Sequence, residues 1–323
     1  MKLPRRRFLH LAAAAAALST GSRVAWAQSY PTRAVRIIIP WPAGQATDTV
    51  ARLIGQSLAE RLVQPFVMEN RPGAGGNIGT EVVVRAEPDG YTLLLVNLSN
   101  AINTTLYKKL NFDFLRDIAP VASIGGGPYV MVINPSVPAK TVPEFIAYAK
   151  ANPGAVNMAS SGNGSTTHIF GELFKMMTGV NLVHVAFRGG YGPDLLGGRV
   201  QVAFGSISSS IEYIRAGLLR ALAVTSAARA DVLPDVATMG EFLPGYEAST
   251  WYGVGAPRNT PAEVIDKLNG EINAVTAEPH IKMRLAAIGV DPTPMTSAEF
   301  GKFIAAETEK WGKVITTANI KVG

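Results

Sequence analysis

Three glycine-rich turns carry a sequence pattern that favours the binding of an anion. Each follows a short apolar run and precedes a helical pattern, and the turns lie at residues 40–48, 71–79 and 160–168. Such turns leave backbone N–H groups unpaired at a helix N-terminus, where the helix dipole also attracts negative charge. Glycine removes the Cβ that would keep a ligand away from the backbone. The turns therefore predict an anion site, and a tight turn with a helix cap and no ligand is the alternative for each.

Histidine and carboxylate residues are too few and too scattered to predict a metal site. After the first 27 residues the chain holds His168, His184 and His280, and His168 precedes Glu172 by four positions on one helical pattern. Two side chains on one helix face do not complete the ligand set of a metal. His168 is interpreted as a helix-start histidine that lines a cleft, and His184 as a core or cleft-wall residue. We expect no metal and no cofactor.

Catalytic motifs are missing from the sequence. It contains no G-x-S-x-G elbow, no P-loop, no H-E-x-x-H element and no S-x-x-K element. The glycines of turn 71–79 also miss the spacing of a dinucleotide fingerprint. Ser160, His168 and Asp48 supply the residue types of a hydrolase triad, but sequence alone does not bring them together. We predict no catalytic residue, and a hydrolase using Ser160 or Ser161 is the alternative.

Two large side chains that lie near glycines in the sequence are candidates for contact with a ligand. Arg188 follows the apolar run 182–187 and precedes two glycines, so its guanidinium could pair with a carboxylate through two hydrogen bonds. A surface arginine whose stem lies over the turn is the equal alternative. Trp41, inside the first turn, is expected either to form a wall against a ligand or to cover a domain edge.

The first 27 residues have the organisation of an export signal. Three arginines at positions 5–7 precede a run at 8–18 that is apolar apart from His10, and Ala-Trp-Ala at 25–27 fits the small-x-small cleavage rule. The apolar run is too short to cross a bilayer, which needs ~20 apolar residues. We predict a signal peptide over residues 1–27, cleavage before Gln28 and a periplasmic protein. The paired arginines favour the twin-arginine route, with an ordinary Sec signal as the alternative.

The composition of the chain excludes several classes of protein. The 323 residues include 47% hydrophobic and 17% charged residues, which excludes intrinsic disorder and allows a large buried core. Cysteine is absent, which excludes disulfides, thiolate zinc sites and a cysteine nucleophile. The formal charge of +6 falls to +1 without the first 27 residues, because these hold five of the 30 basic residues and none of the 24 acidic ones. We therefore expect no nucleic-acid partner.

Short β-branched runs alternate with helical patterns along the rest of the chain. Several runs are apolar at every position, as in strands buried on both faces. Strands are predicted at residues 36–40, 66–69, 92–97, 129–134, 156–160, 182–187, 200–204 and 219–225. Helices are predicted at residues 47–62, 143–151, 166–177, 209–216, 261–276, 279–288 and 297–317. This alternation predicts an α/β fold with mostly parallel sheets.

The length of the chain fits one large domain or two of medium size. The apolar runs 130–134 and 219–225 bracket a self-contained block of strands and helices, and each could cross between domains. We therefore predict one domain from residues 28–128 and 226–323 and a second from residues 129–225, with a ligand cleft between them. One continuous sheet is the alternative that periodicity leaves open.

The order of several short motifs resembles one protein family over essentially the whole chain after the export signal. The motifs are RIIIP at 36–40, ENRPGAGGNIG at 69–79, PDGYTLL at 88–94, AKANPG at 149–154, the turn 160–168, and AGLLRALAVT at 216–225. They resemble the periplasmic solute receptors of tripartite tricarboxylate transporters, often called Bug receptors. The resemblance implies a two-domain type II periplasmic binding protein, a Venus flytrap that captures a small organic carboxylate and delivers it to separate membrane permease subunits.

The resemblance also implies how the ligand is held. Family members hold one ligand carboxylate with the two turns that match residues 40–48 and 160–168, largely through main-chain amides and bridging waters. This agrees with the anion site predicted from the glycine-rich turns. The ligand-binding residues expected from the match are Trp41, Ala43, Gly44, Gln45, Thr47, Asp48, Ser160, Ser161, Gly162, Asn163, Gly164, Ser165, Thr166, His168, Phe187, Arg188, Gly189, Gly205 and Ser206.

Three positions depart from the usual family pattern. Gln45 stands in place of a glycine, Phe187-Arg188 in place of a tyrosine-lysine pair, and Gly205 in place of an aspartate. Because an aspartate can meet the ammonium group of an amino acid, its absence favours a ligand without an amine, such as a di-, tri- or aromatic carboxylate. The resemblance, together with the missing catalytic motifs, implies a carboxylate-binding protein that is not an enzyme, and we expect it to be a monomer. A periplasmic hydrolase and a ligand-sensing receptor that signals through a partner are the alternatives.

Overall fold

The structure, a computed structural model, describes residues 30–187 and 190–321. Its strands are β1 (Val35–Ile39), β2 (Phe66–Asn70), β3 (Thr92–Asn97), β4 (Ile118–Ile133), β5 (Val156–Ser160), β6 (Leu182–Ala186), β7 (Val202–Ser206), β8 (Arg220–Val224), β9 (Ser249–Pro257) and β10 (Asp291–Pro292). Its helices are α1 (Ala46–Leu62), α2 (Asn77–Val84), α3 (Leu98–Leu106), α4 (Phe114–Asp117), α5 (Val142–Ala151), α6 (Thr166–Thr178), α7 (Gly192–Leu196), α8 (Ile207–Arg215), α9 (Ala262–Ala277), α10 (Pro279–Ala287) and α11 (Ser297–Thr317). None of these described helices is both long and apolar enough to cross a membrane. The predicted signal peptide lies outside the described residues.

The strands form one mixed sheet with helices around it, which confirms the α/β prediction. The strand order is β2-β1-β3-β9-β4-β7-β5-β6, and β8 and β10 also pair with β4. β1 is parallel to β2 and β3, and β5 is parallel to β6 and β7. The prediction of mostly parallel sheets is wrong in the middle, where β4 is antiparallel to β7, β8 and β9, and β3 is antiparallel to β9. A continuous apolar run indicates burial on both faces but does not fix the direction of a strand.

β4 links two groups of strands. Its residues 118–128 pair with β9, and its residues 129–133 pair with β7. The change of partner falls between Pro128 and Tyr129, and Tyr129 pairs with Ser206 at the end of β7. β8, predicted from the sequence to cross between domains, pairs with the second part of β4. The two groups of strands therefore meet at the middle of β4, and the division of the chain into two domains at this point stays a prediction.

Helix α11 covers the middle of the sheet and packs on helix α6. The ring of Trp311 stacks on that of Phe170, with centroids 5.2 Å apart, and neither residue has exposed surface. The Oε2 atom of Glu307 accepts the indole N–H of Trp311 at 2.8 Å and that of Trp251 at 3.2 Å. The hydroxyl of Tyr246 donates to the Phe170 carbonyl oxygen at 3.0 Å. Every polar group in this aromatic core is thus paired, as buried polar groups require.

The sequence pattern does not predict several of the elements, β9 and α3 among them. Strand β9 contains Gly253 and Gly255, and glycine is unfavourable in strands unless another group needs the space. A Cβ on Gly253 would lie 2.2 Å from Cζ of Phe300, so a tertiary contact explains this glycine. Helix α3 starts directly at the end of β3, where Asn97 and Asn100 form a capping box. No turn sequence separates the strand from the helix, so no local signal marks the boundary.

Candidate functional site

The turn between β5 and α6 is held by hydrogen bonds among its own polar groups. Ser165 caps helix α6, because its Oγ accepts the N–H of His168 at 3.3 Å and donates to the carbonyl oxygen of Gly162 at 2.7 Å. The Oγ1 atom of Thr167 lies 2.9 Å from the Ser165 Oγ and accepts the N–H of Ser161 at 2.9 Å. Gly162 has a φ of 121°, which glycine adopts without a Cβ clash. The turn is therefore a defined structure rather than a loose loop.

Two stacked imidazole rings support this turn. The rings of His168 and His184 lie 3.6 Å apart and are inclined by 6°. Nε2 of His184 lies 2.6 Å from Oγ of Ser160, which accepts the N–H of Gly162 at 3.1 Å. Nδ1 of His168 accepts the N–H of Gly164 at 3.1 Å. Each ring therefore holds one part of the turn backbone.

A buried ion pair lies next to the stacked rings. Oε1 of Glu172 lies 2.7 Å from Nζ of Lys175 and 3.4 Å from Nε2 of His168. Burial opposes ionisation of Glu172, but hydrogen bonds from His168 and Lys175 outweigh it and lower the pKa of this carboxyl. Burial, with added repulsion from His168, lowers the pKa of His184 to about 4. The contact between His184 and Ser160 therefore joins two neutral groups at neutral pH.

Three backbone N–H groups of this turn have no acceptor among the described residues: those of Asn163, Thr166 and Thr167. Thr166 and Thr167 open helix α6, which is 13 residues long. The positive end of the helix dipole and the unpaired N–H groups thus coincide. This is the arrangement that binds a carboxylate or phosphate group at a helix N-terminus.

The turn between β1 and α1 is organised around the buried carboxylate of Asp48. Its Oδ2 accepts the N–H of Gly44 and the Nε–H of Arg52, both at 2.9 Å, and its Oδ1 accepts the amide of Asn70 at 2.9 Å. Burial opposes ionisation, but these hydrogen bonds, with that from Arg52 the strongest, lower the pKa of Asp48 to about 2. The structural role of this carboxylate is therefore to shape the turn.

Helix α1 begins after this turn without a side-chain cap. Its N-cap residue, Gln45, makes no side-chain hydrogen bond to the helix, which is 17 residues long. Ala43, Gly44 and Gln45 are exposed, whereas Thr47 is buried. The first N–H groups of α1 are consequently available to a ligand or to water.

Two neighbouring cavities meet the starts of helices α1, α6 and α8. The larger has a volume of ≈ 330 Å³ and reaches Ser161 and Thr167 beside α6. The smaller has a volume of ≈ 110 Å³ and reaches Ala46, the first residue of α1. Tyr129 and Ser206 line both cavities. Three helix N-termini therefore face one region, at the point where β4 changes its pairing partner.

The predicted site residues differ in their relation to these cavities. Those that line the larger cavity are Ser161 and Ser206. Those that form the two turns without lining a cavity are Ala43, Gly44, Gln45, Thr47, Asp48, Ser160, Gly162, Asn163, Gly164, Ser165, Thr166 and His168. Phe187 and Gly205 lie next to a cavity residue, Tyr191, since the Phe187 ring is 6.4 Å from the Tyr191 ring and a Cβ on Gly205 would lie 3.0 Å from the Tyr191 hydroxyl. Arg188 and Gly189 lie outside the described residues.

Trp41 lies against the glycine-rich turn 71–79 and lines neither of the two cavities. Its carbonyl oxygen accepts the side-chain amide of Asn70 at 3.0 Å. A Cβ on Gly76 would lie 3.1 Å from Cζ2 of its indole. This position favours packing as the role of Trp41, and it explains why Gly76 has no side chain.

Several cavity residues are not singled out by the sequence pattern. Tyr129 comes from β4, Tyr191 precedes α7, Ser210 lies on α8 and Tyr252 lies on β9. The one local signal was the hydroxyl-rich stretch 206–210, which follows a buried strand directly. The other residues are brought together by strand pairing, which one sequence does not display.

Comparison with known proteins identifies the class of receptor that this fold and site define. A sequence model described as "Tripartite tricarboxylate transporter family receptor" matches residues 50–320. Protein BugT of Bordetella pertussis is 37% identical over 302 residues, which cover 92% of each chain. The structure of R. palustris Rpa4515 with adipate is 35% identical, has a TM-score of 0.78, and covers 90% of this chain and 99% of that one. MatC from Rhodopseudomonas palustris with bound malate is 30% identical, has a TM-score of 0.75, and covers 88% of this chain and 100% of that one.

The chain belongs to the TctC family of tripartite tricarboxylate transporter receptors. The match to solved structures confirms the predicted fold class, that of the periplasmic binding proteins of this family. These relatives are solute-binding receptors rather than enzymes, and two of them hold the carboxylates adipate and malate. Within the described part of this chain, no group of three or more histidine, aspartate or glutamate side chains could hold a metal ion.

Proposed function

We propose that this protein is a periplasmic receptor that captures a small organic carboxylate and delivers it to the membrane permease subunits of a tripartite tricarboxylate-type transporter. The observation that carries the proposal is the meeting of three helix N-termini at two adjoining cavities. Tyr129 and Ser206 line both cavities, of which one reaches Thr167 and the other Ala46. Family membership, and the carboxylates held by two relatives, support the same class of ligand.

The carboxylate group of the ligand is proposed to lie at the start of helix α6. Residues 41–47 and 160–167 contain no lysine or arginine, so neither turn supplies a cationic side chain. A buried carboxylate without hydrogen bonds costs several kcal/mol, so other donors must meet it. The unpaired N–H groups of Thr166 and Thr167 are suitable donors. Hydrogen bonds of this charge-assisted kind contribute roughly 1.5–3 kcal/mol each.

We propose that the boundary between two domains lies where β4 changes its pairing partner. One domain comprises residues 28–128 and 226–323, and the other comprises residues 129–225. The change of pairing partner between Pro128 and Tyr129 supports this boundary. A strand shared by two domains can twist with little change inside either, so we expect the domains to close over the ligand. We further propose that residues 1–27 direct export and that the receptor works as a monomer.

Hydrolysis is the weaker alternative, although Ser160 and His184 have the composition of a catalytic pair. Ser160 has 0% exposure, which keeps a substrate carbonyl away from its Oγ. Among the described residues no carboxylate accepts a hydrogen bond from His184, whose ring instead faces His168. A serine nucleophile needs an oriented base and an accessible oxygen, and this pair offers neither. Ser161 lines the larger cavity but makes no side-chain hydrogen bond to a described histidine.

Capture of a carboxylate is tested by a thermal-shift panel followed by calorimetry. A ligand at one hundred times its Kd stabilises the folded protein by about 2.7 kcal/mol, so a true ligand should raise the Tm clearly. We expect stabilisation by at least one carboxylate and none by the corresponding primary alcohol or amide. NMR of the mixture should recover the ligand unchanged. Conversion of the ligand, or stabilisation by uncharged or cationic solutes alone, would contradict the proposal.

Delivery to a permease is tested in cells that lack the gene for this protein. Uptake of the labelled carboxylate identified by calorimetry should be lost and should return with the wild-type gene. Persistent uptake, with loss only of a gene-expression response to the carboxylate, would show that the receptor signals through a partner and does not transport.

A further inference from the structure

Several hydroxyl groups of the larger cavity have no partner in the described structure, and two of them, those of Tyr191 and Ser210, belong to residues that are not exposed. Tyr191 and Ser210 line the cavity, and neither the Oη atom of Tyr191 nor the Oγ atom of Ser210 makes a hydrogen bond to a described residue. Their neighbours are paired, since the Ser206 Oγ donates to the Ser209 Oγ at 2.8 Å and the Ser209 Oγ donates to the Ser206 carbonyl oxygen at 2.9 Å. Ser210 is only 5% exposed, and a ligand in the cavity would supply the partner that its hydroxyl lacks among the described residues.

Both free hydroxyls converge on Gly205. A Cβ at this position would lie 3.0 Å from the Tyr191 Oη and 3.0 Å from the Ser210 Oγ. The absence of a side chain therefore keeps open the space in front of the two oxygens. Burial raises the pKa of Tyr191 to about 12, so its hydroxyl is a neutral donor at neutral pH.

The described walls of the cavity carry no charged side chain. Ser161 and Thr167 supply hydroxyls beside the start of α6, whereas Leu195, Leu196 and Leu219 supply apolar surface. Leu195 and Leu219 are buried, at 1% and 5% exposure. A ligand whose carboxylate lies at the start of α6 would thus share the cavity with apolar surface and with two neutral hydroxyls.

We infer that the ligand is a monocarboxylate with an apolar body and a single uncharged hydroxyl at its far end, which Tyr191 and Ser210 bind. The inference rests on the proposed function, because that function places the carboxylate at the start of α6. It sets this receptor apart from the relatives that hold adipate and malate, which carry a second carboxylate. The cavity volume of ≈ 330 Å³ is near the lower end of the range of about 300–1,000 Å³ for ligand pockets, so the ligand is small.

Calorimetry with two matched series of acids tests this inference. The aromatic series is para-hydroxybenzoate, benzoate and terephthalate, and the aliphatic series is ω-hydroxyhexanoate, hexanoate and adipate. In at least one series the hydroxy acid should bind about 3- to 10-fold more tightly than the plain acid, since it gains one neutral hydrogen bond. It should bind at least about 100-fold more tightly than the diacid, whose second carboxylate would be buried without a cation.

Variants of Tyr191 and Ser210 distinguish the loss of a hydroxyl-binding subsite from a general loss of folding or binding. Tyr191→Phe and Ser210→Ala should each reduce the preference for the hydroxy acid and leave the Kd of the plain acid within about twofold. Gly205→Ala should weaken the hydroxy acid more than the plain acid, because the new Cβ would crowd both oxygens. Tyr148→Phe is the matched control, since Tyr148 lies on α5 and lines neither cavity. It should leave both affinities unchanged.

Three outcomes overturn the inference in distinguishable ways. Tighter binding of the diacids would leave a carboxylate receptor in place but remove the hydroxyl subsite, and loss of that binding in Arg188→Ala would assign the second carboxylate to the arginine. An unchanged preference for the hydroxy acid in both Tyr191→Phe and Ser210→Ala would place the hydroxyl elsewhere. Failure of all six acids to bind folded protein would reject this ligand class, and failure of the wider carboxylate panel as well would reject the proposed function.

Discussion

The N–H group of Thr166 can be removed without disturbing the rest of helix α6, because proline is accepted at the first residue of a helix. Thr166 is that residue, and Ser165 before it has φ −67° and ψ 158°. This extended conformation is the one that a following proline requires. Thr166→Pro therefore deletes one donor of the proposed carboxylate site without breaking a hydrogen bond inside the helix.

The expected loss of affinity follows from the charge of the ligand. A hydrogen bond to a carboxylate contributes about 1.5–3 kcal/mol, and each 1.4 kcal/mol changes an equilibrium constant tenfold. Thr166→Pro should therefore raise the Kd for the carboxylate by about 10- to 100-fold. The free energy of unfolding should stay the same or rise slightly, because proline reduces the entropy of the unfolded chain.

Two controls isolate the backbone donor from other effects of the substitution. Thr166→Ala removes the hydroxyl but keeps the N–H, so it should cost no more than about 1 kcal/mol of binding. Ser297→Pro places proline at the first residue of α11, after Thr296 with φ −64° and ψ 159°, and lines neither cavity. It should leave binding unchanged.

Isothermal titration calorimetry measures the Kd of each variant, and urea unfolding measures its stability. Wild-type affinity in folded Thr166→Pro would show that this N–H is not a ligand donor. An equal loss in Thr166→Ala would assign the interaction to the hydroxyl instead of the backbone.

Three further predictions concern the supporting structure. Asp48→Asn should lower the free energy of unfolding at pH 7 by about 1–2 kcal/mol, since a carboxylate accepts stronger hydrogen bonds than an amide. The pKa of Asp48 is about 2 in the folded protein and 3.8 in the unfolded chain, so the wild type should lose this contribution as the pH falls from 3.8 towards 2. Urea unfolding at a series of pH values measures both effects. The pKa of His184 is about 4 in the folded protein and 6.5 in the unfolded chain, so the unfolded chain binds more protons between these pH values. The free energy of unfolding of the wild type should therefore fall as the pH drops from 6.5 to 4. His184→Gln should reduce this pH dependence in the same assay. Gly253→Ala should lower the Tm, because its Cβ would lie 2.2 Å from Cζ of Phe300, whereas Gly270→Ala, in open space on α9, should stabilise by about 0.5–1 kcal/mol in scanning calorimetry.

Each of these predictions has a result that contradicts it. Equal stability of wild type and Asp48→Asn at pH 7 would mean that the carboxylate does not organise the first turn. A parallel pH dependence in wild type and His184→Gln would mean that this histidine is not held neutral by the fold. Equal Tm values for Gly253→Ala and Gly270→Ala would remove the contact with Phe300 as the reason for the glycine in β9.

Local patterns in the sequence were sufficient to predict the two turns and the helices that follow them. The apolar strands before Pro40 and Ser161, the glycines after them and the polar residues at the helix starts all act within ten positions of one another. Strand β8 was also predicted to within one residue at each end, because its apolar run is bounded by turn residues. These are the features that backbone geometry dictates over short distances.

Long-range pairing explains what local patterns could not predict. The junction at the middle of β4 exists because Tyr129 pairs with Ser206, 77 positions later in the chain. That pairing brings Tyr129, Tyr191 and Ser210 to one cavity, although none of them carries a distinctive spacing. The antiparallel middle of the sheet has the same origin, since burial of a strand does not reveal the direction of its neighbours.

The most direct test of the carboxylate site is a crystal structure of the protein with the carboxylate that binds most tightly in calorimetry. We predict that the carboxylate oxygens lie within about 2.7–3.2 Å of the backbone nitrogens of Thr166 and Thr167, with the body of the ligand in the larger cavity. A carboxylate bound to the guanidinium of Arg188, or bound outside both cavities while these N–H groups face only water, would contradict the account.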